Sequence, residues 1–299
     1  MTFCCVSKEY DLDMWAIYAV LSALSSSAKF VIGKMSATKT DEYVSAFALQ
    51  FFASLVLLPF VIAAGIPRIA YLFWPSLLGL VVTTTSWSIL YQRALKLSPL
   101  SVSVPMLAFN PIFAAILALF FDGKLPDTFG WLGIACIALG VYFSRIELQD
   151  KKGLLYPILS IRQEPGTLAM LAVGFIWSLG AHLSKMNTLA SSPLFFAFSS
   201  TLTSSVVLYL IARFKTKDIF AKLTTHYKSL LALGGVNGVG ELTFGAALSL
   251  GYTPFVVAIV RSSILWSALM GGLLFNEKFS KIKIFGLLLL FSGVLILIF

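Results

Sequence analysis

Charge is what this chain has least of. Only 12% of its 299 residues are Asp, Glu, Lys or Arg. That is about half the fraction usual in soluble domains, too little to solvate the surface of a water-soluble fold of this size. Cysteine is also scarce. Of the three, Cys4 and Cys5 are adjacent and Cys136 lies inside an apolar stretch, so no disulfide framework can be drawn. The Cys4–Cys5 pair offers an acylation site, with an unmodified tail the simpler reading. There are two histidines, His182 and His226, and His226 falls in a basic connection. No paired-histidine metal site can therefore be built within an apolar stretch, and an intramembrane enzyme is not expected. Neither Gly-x-x-x-x-Gly-Lys-Ser nor Gly-x-x-x-x-Gly-Lys-Thr occurs, so nucleotide hydrolysis on a P-loop is not expected. The charge rings and filter sequences of channels are missing too. Met1–Asp13 holds Glu9, Asp11 and Asp13 against Lys8. A secretory signal would be basic there, so the first apolar stretch reads as a retained span. No pattern calls for a metal or an organic cofactor.

What is abundant is apolar side chain: 59% of residues, with a mean hydropathy of +0.92. Ten stretches carry almost no charge, at 14–34, 44–64, 71–92, 99–121, 127–145, 167–187, 193–213, 229–250, 253–275 and 282–299. Each is long enough to cross a bilayer as a helix. The pattern predicts an all-α polytopic membrane protein of ten transmembrane helices, spans 1 to 10 in chain order. The formal charge of +9 follows from topology and not from nucleic-acid binding. The connections after spans 1, 3, 5, 7 and 9 hold sixteen of the 22 Lys and Arg, and the opposite face holds four. Lys and Arg collect on the cytoplasmic side, which predicts both termini outside. The expected location is integral and multi-pass, in the plasma or cell inner membrane.

The chain repeats itself. At an offset of 153 residues Ala94-Leu95-Lys96-Leu97 matches Ala247-Leu248-Ser249-Leu250, and Gly133 and Gly140 match Gly286 and Gly293. At an offset of 151, Lys34-Met35 matches Lys185-Met186, and Ser27 matches Ser178. Two five-helix repeats follow, 1–146 and 167–299, joined by a linker at 147–166. Five is odd, so the second copy enters the membrane from the opposite side, as in many secondary transporters with inverted repeats.

These residues also carry a family resemblance. Ala94-Leu95 with Ser98-Pro99-Leu100, then Asn110-Pro111 and Gly133…Gly140, resembles the EamA repeat of the drug/metabolite transporter superfamily. The second copy shows Ala247-Leu248 with Thr253-Pro254, then Phe275-Asn276-Glu277-Lys278 and Gly286…Gly293. Asn276-Glu277 stands where that family often carries Gly-Glu. Two positions depart from the pattern: Lys124 in place of Glu277, and Ile264 in place of Pro111. The family often has both termini in the cytoplasm, against the charge count here. The resemblance implies export of amino acids or other small metabolites, or exchange of sugar phosphates and nucleotide sugars.

Candidate site residues are the polar ones stranded in apolar spans. Glu241 lies about ten residues before the Gly251–Tyr252 turn and Arg261 about nine after it. At about 1.5 Å per residue both sit roughly 14–15 Å deep, near the midplane. Charges there usually face a partner or a water-filled cavity. Arg261 would clamp a carboxylate or phosphate, and Glu241 would hold an ammonium group or a coupling proton. The structural alternative is a buried ion pair pinning span 8 to span 9. Span 8 adds Asn237 among Gly234, Gly235, Gly238, Gly240 and Gly245, which either pack closely or let the helix unwind around a ligand. Span 4 carries Asn110 between Pro105 and Pro111, and a kink is expected there. The hydroxyls of Thr83, Thr84, Thr85 and Ser86 more simply bond backbone carbonyls. Ser22, Ser25/Ser26 and Lys29 share one helical face, as do Ser178, His182 and Lys185. Lys29 is a second candidate cation unless it snorkels to the interface. His182 is a candidate proton relay. Trp87, Trp177 and Trp266 are candidates to line a cavity.

The expected function is gradient-driven transport, most simply export, of a small polar metabolite such as a zwitterionic amino acid. An organic-phosphate or nucleotide-sugar antiporter using Arg261, Lys29 and Lys185 or His182 is the second reading. A lipid scramblase or structural membrane protein represents a different class. The expected partners are the small-molecule substrate and membrane lipids, with no nucleic acid; monomer and homodimer both stay open.

Overall fold

A computed structural model describes residues 8–37, 41–97, 104–146, 165–216, 218–263, 266 and 281–298. The Cys4–Cys5 pair, Ser98–Leu100, most of the proposed linker, Ile264 and Phe275–Lys278 lie outside the described residues. All regular structure among the described residues is helical. The helices are α1 (Lys8–Ala37), α2 (Glu42–Ala64), α3 (Phe73–Leu97), α4 (Asn110–Phe121), α5 (Thr128–Ile146), α6 (Pro165–Leu189), α7 (Pro193–Lys215), α8 (Ile219–Thr225), α9 (Tyr227–Leu250), α10 (Thr253–Val260) and α11 (Lys281–Ile298). A 3-10 segment, Val104–Phe109, leads into α4. Among the described residues, five stretches are long and apolar enough to cross a membrane as single helices: Glu42–Ala64, Phe73–Ala94, Leu168–Leu189, Pro193–Lys215 and Tyr227–Leu250. Met106–Phe121, Thr128–Phe143 and Ile284–Ile298 are shorter apolar helices.

Local chemistry sets several ends. Asp41 caps α2 by accepting from the Tyr43 amide at 2.9 Å. Ser192 caps α7 through the Phe195 amide at 3.2 Å, with Pro193 next, where its missing N–H costs nothing. Pro111 and Pro254 likewise stand in the first turns of α4 and α10. The expected kink at Pro111 is thus a helix start, preceded by 3-10 geometry.

Packing is inside-out relative to a soluble protein. Phe60, Ile62, Ile66, Trp74, Phe120 and Phe129 are all at least 60% exposed. Such a surface would aggregate in water and is the one lipid requires. Ser26, Asn110, Ser178, His182, Asn187, Asn237 and Arg261 are buried. Helix contacts fall in matched pairs: α1 packs along α9 as α6 packs along α3, and α2 meets α7 as α5 meets α11. These are corresponding positions in the two halves of the repeated sequence.

The repeat glycines explain the α5–α11 contact. A Cβ at Gly140 would lie 2.5 Å from the Leu290 amide nitrogen and 2.7 Å from the Gly286 carbonyl, both backbone atoms that cannot swing aside. Gly140→Ala is therefore expected to cost about 1–3 kcal/mol by overpacking, read as a lower melting temperature in detergent. Gly180→Ala is the control, because its Cβ would come no closer than 3.6 Å to Thr83 Oγ1.

Candidate functional site

The buried polar centre lines a partly open cavity. Five helices supply its walls. Ser22, Ser25, Ser26 and Lys29 come from α1, Asn110 from the start of α4, Trp177 from α6, Asn237, Gly240 and Glu241 from α9, and Arg261 from the end of α10. The α1 residues recur at helical spacing, which puts them on one face. Asn237, Gly240 and Glu241 do the same on α9.

Lys29 points inward and does not snorkel. Its ammonium donates to Asn237 Oδ1 at 3.0 Å, and Asn237 Nδ2 reaches Gln50 Oε1 at 3.4 Å. The same ammonium lies 5.8 Å from the rings of Trp87 and of Trp177. Those two indoles stack with centroids 5.2 Å apart and an interplanar angle of 23°. The Arg261 guanidinium carbon sits 3.9 Å from the Trp177 ring centroid. A desolvated cation over an indole gains about 2 kcal/mol, so the tryptophans stabilise two cations that would otherwise repel across the cavity.

Glu241 and Arg261 form no ion pair with each other. The two charges therefore share a cavity without pinning α9 to α10. Arg261 is 4% exposed, and its Nε has no hydrogen-bond partner. Asn110 Nδ2 donates to the Gly174 carbonyl at 2.7 Å and to Ser178 Oγ at 2.6 Å, while its Oδ1 is unpartnered. A ligand carrying an acceptor for Arg261 and a donor for Asn110 would satisfy both.

The backbone at the cavity departs from a regular helix at one level in both copies. The 3-10 segment Val104–Phe109 precedes Asn110. In the second copy the Arg261 amide bonds the carbonyls of Val257 at 3.2 Å and Ala258 at 3.0 Å, and Ser262 N–H bonds Ile259 at 2.8 Å. These tightened contacts fall at the positions matched by the 153-residue offset. The unwinding considered for span 8 is absent: α9 runs unbroken past its glycines. A Cβ at Gly234 would collide with Phe52, so close packing is the use made of that glycine. Thr83 Oγ1 donates to the Gly79 carbonyl at 2.9 Å, as a hydroxyl in an apolar helix is expected to do.

Of the residues singled out in sequence, the structure gathers Arg261, Glu241, Asn110, Asn237, Lys29 and Trp177 at the cavity. Trp87 backs it by stacking on Trp177. His182 lies apart from it. Its Nε2 meets the Ala114 carbonyl at 2.9 Å and its Nδ1 faces Asp122 at 3.6 Å. Lys185 is held by Asp122 at 3.3 Å, so neither His182 nor Lys185 enlarges a cationic cluster with Arg261. Sequence reasoning missed Gln50, although a lone amide in the apolar run 44–64 was a visible signal. Asp122 was missed because it reads as an ordinary turn residue.

A multi-pass helical protein with a charged, partly unsatisfied cavity walled by helices of both its halves has the layout of a membrane transporter. The EamA-like transporter family matches residues 13–146 and again 164–299. The chain belongs to this family, within the drug/metabolite transporter superfamily. Among curated proteins it is similar to the probable 4-amino-4-deoxy-L-arabinose-phosphoundecaprenol flippase subunit ArnE of Yersinia pestis (strain Pestoides F) and that of Yersinia pseudotuberculosis serotype O:1b (strain IP 31758). Each is 38% identical over 61 residues, covering 20% of this chain and 54% of the relative. The chain thus spans about half the length of these relatives. A solved crystal structure aligns over 97% of this chain and 96% of its own, with a TM-score of 0.77 and 15% identity, which shows a shared fold.

Proposed function

We propose that the chain is a gradient-driven transporter, most simply an exporter, of a small metabolite bearing both an amine and a carboxylate, an amino acid or close analogue. The observation that carries this reading is Lys29, Glu241 and Arg261 around one cavity. Arg261, with a free Nε, and Lys29 hold the carboxylate. Glu241 and the open Asn110 Oδ1 take the ammonium group. Transport follows from rocking of the two five-helix repeats, inverted relative to each other, around this site. The irregular backbone in both fourth spans supplies the give.

A second reading, an organic-phosphate or nucleotide-sugar exchanger, draws on the excess of two cations over one carboxylate. The flippase relatives are named for a cargo with an amino sugar and a phosphate, again one amine and one anion. A thermal-stability screen of the purified protein against amino acids, polyamines, sugar phosphates and nucleotide sugars separates the readings. A ligand at about 100 times its dissociation constant adds roughly 2.7 kcal/mol to the folded state. Stabilisation by amino acids is the expected result; stabilisation by phosphates alone would transfer the site to the exchanger.

A further inference from the structure

Beyond the cavity, α4 and α6 are joined by a polar seam. Asn110 meets Ser178 at 2.6 Å, the Ala114 carbonyl meets His182 Nε2 at 2.9 Å, and Asp122 Oδ1 meets Lys185 Nζ at 3.3 Å. The seam starts at the cavity wall and ends at the C-terminal cap of α4. Its far end has a proton to account for. A carbonyl only accepts, so His182 Nε2 must carry a hydrogen. Nδ1 then faces Asp122 Oδ2 at 3.6 Å, and neither atom has a hydrogen-bond partner. With Nδ1 bare and Asp122 ionised, two lone pairs oppose each other beside a fully buried imidazole.

We propose that His182 Nδ1 and Asp122 Oδ2 bind one exchangeable proton, at a site separate from the substrate cavity. When the proton is present, the imidazolium donates to Ala114 and faces the carboxylate. When it leaves, Lys185 compensates Asp122 and the cluster is electrically neutral. Removal of the proton therefore strands no unpaired charge, which suits a site that loads and unloads. Asp122 is 16% exposed and connects the buried imidazole to the outside. The Phe121 ring stacks on His182 at 5.0 Å. The other ionisable groups nearby are Lys124, whose ammonium lies 5.1 Å from the Tyr252 ring centroid, and Tyr252 itself. Burial, with the Asp122 charge adding to it, pushes the Tyr252 phenol up to about 12, so it stays protonated and donates to the Lys124 carbonyl at 2.8 Å. Neither can take the place of Asp122 opposite Nδ1.

The relevance of this proton to transport rests on the function proposed above; its presence on His182–Asp122 does not. The test accordingly needs no substrate. With two histidines in the chain, a His226→Gln background leaves His182 as the sole histidine signal in a 15N-histidine NMR titration of the full chain in lipid nanodiscs. The ring nitrogens should titrate between imidazolium and the Nε2–H neutral form. Asp122→Asn should move the midpoint down by about one pH unit or more, the usual effect of losing a neighbouring opposite charge. Lys185→Gln should move it up, and this variant carries the test if Asp122→Asn fails to fold. A midpoint unmoved by either substitution, or a neutral form with the proton on Nδ1, overturns the site. Such a failure leaves the transport reading intact, and silence in the ligand screen leaves this site intact.

Discussion

Arg261→Ala is expected to abolish the thermal shift produced by the transported ligand while leaving the unliganded protein at least as stable as before. The guanidinium is buried and its Nε has no partner. It thus bears a desolvation cost that the Trp177 contact at 3.9 Å offsets in part. With no ion pair to Glu241, truncating Arg261 breaks no salt bridge between them and removes that desolvation cost. Binding is another matter. A hydrogen bond to a charged group contributes about 1.5–3 kcal/mol, and a two-pronged clamp on a carboxylate uses two of them. At 1.4 kcal/mol per tenfold, affinity should fall by at least about 100-fold, enough to erase the shift at any practical concentration. Arg261→Lys keeps the charge but loses the planar fork and the flat stack on Trp177, so it should recover only part of the loss. A full ligand shift in Arg261→Ala would remove Arg261 from the site.

Much of the fold was visible before the structure, because hydrocarbon imposes a simple rule on the chain. The described residues are all-helical, with five apolar helices long enough to span and three shorter ones, and the repeat glycines meet across α5–α11, Gly133 against Gly293 and Gly140 against Gly286. Single-residue polarity in apolar spans also located Lys29, Asn237, Glu241 and Arg261. What stayed hidden depends on contacts distant in sequence. Lys29 is 208 residues from Asn237, and no periodicity within span 1 or span 8 couples them. The same holds for Trp87 on Trp177. The reading of span 9 as one uninterrupted helix also missed its tightening at Arg261, since no proline or glycine marks the place. Conversely, the glycines of span 8 suggested a break, yet Gly234 is spent on close approach to Phe52 and α9 continues through. Composition reports a helix's tolerance for irregularity; which helix uses it is decided by neighbours.

Glu241→Gln should change what the protein binds, where the Arg261 variant should lose binding altogether. Glutamine keeps the shape and the carbonyl oxygen but removes the negative charge. With Lys29 and Arg261 ionised, the cavity goes from a net charge of +1 to +2. An ammonium about 4 Å from a carboxylate gains about 4 kcal/mol at an effective dielectric of 20, before its own desolvation is subtracted. Even a third of that is a tenfold loss for an amine-bearing ligand. Ligands without an amine should move in the opposite direction, because the carboxylate that repelled them is gone. The same panel of amino acids, simple carboxylates and sugar phosphates, read as thermal shifts, reports both changes at once. The expected pattern is loss for amino acids with gain for the anions. An unchanged rank order would mean that Glu241 serves Lys29 alone, holding that ammonium in place beside Asn237 and the tryptophans, and that the amine of the cargo is read elsewhere.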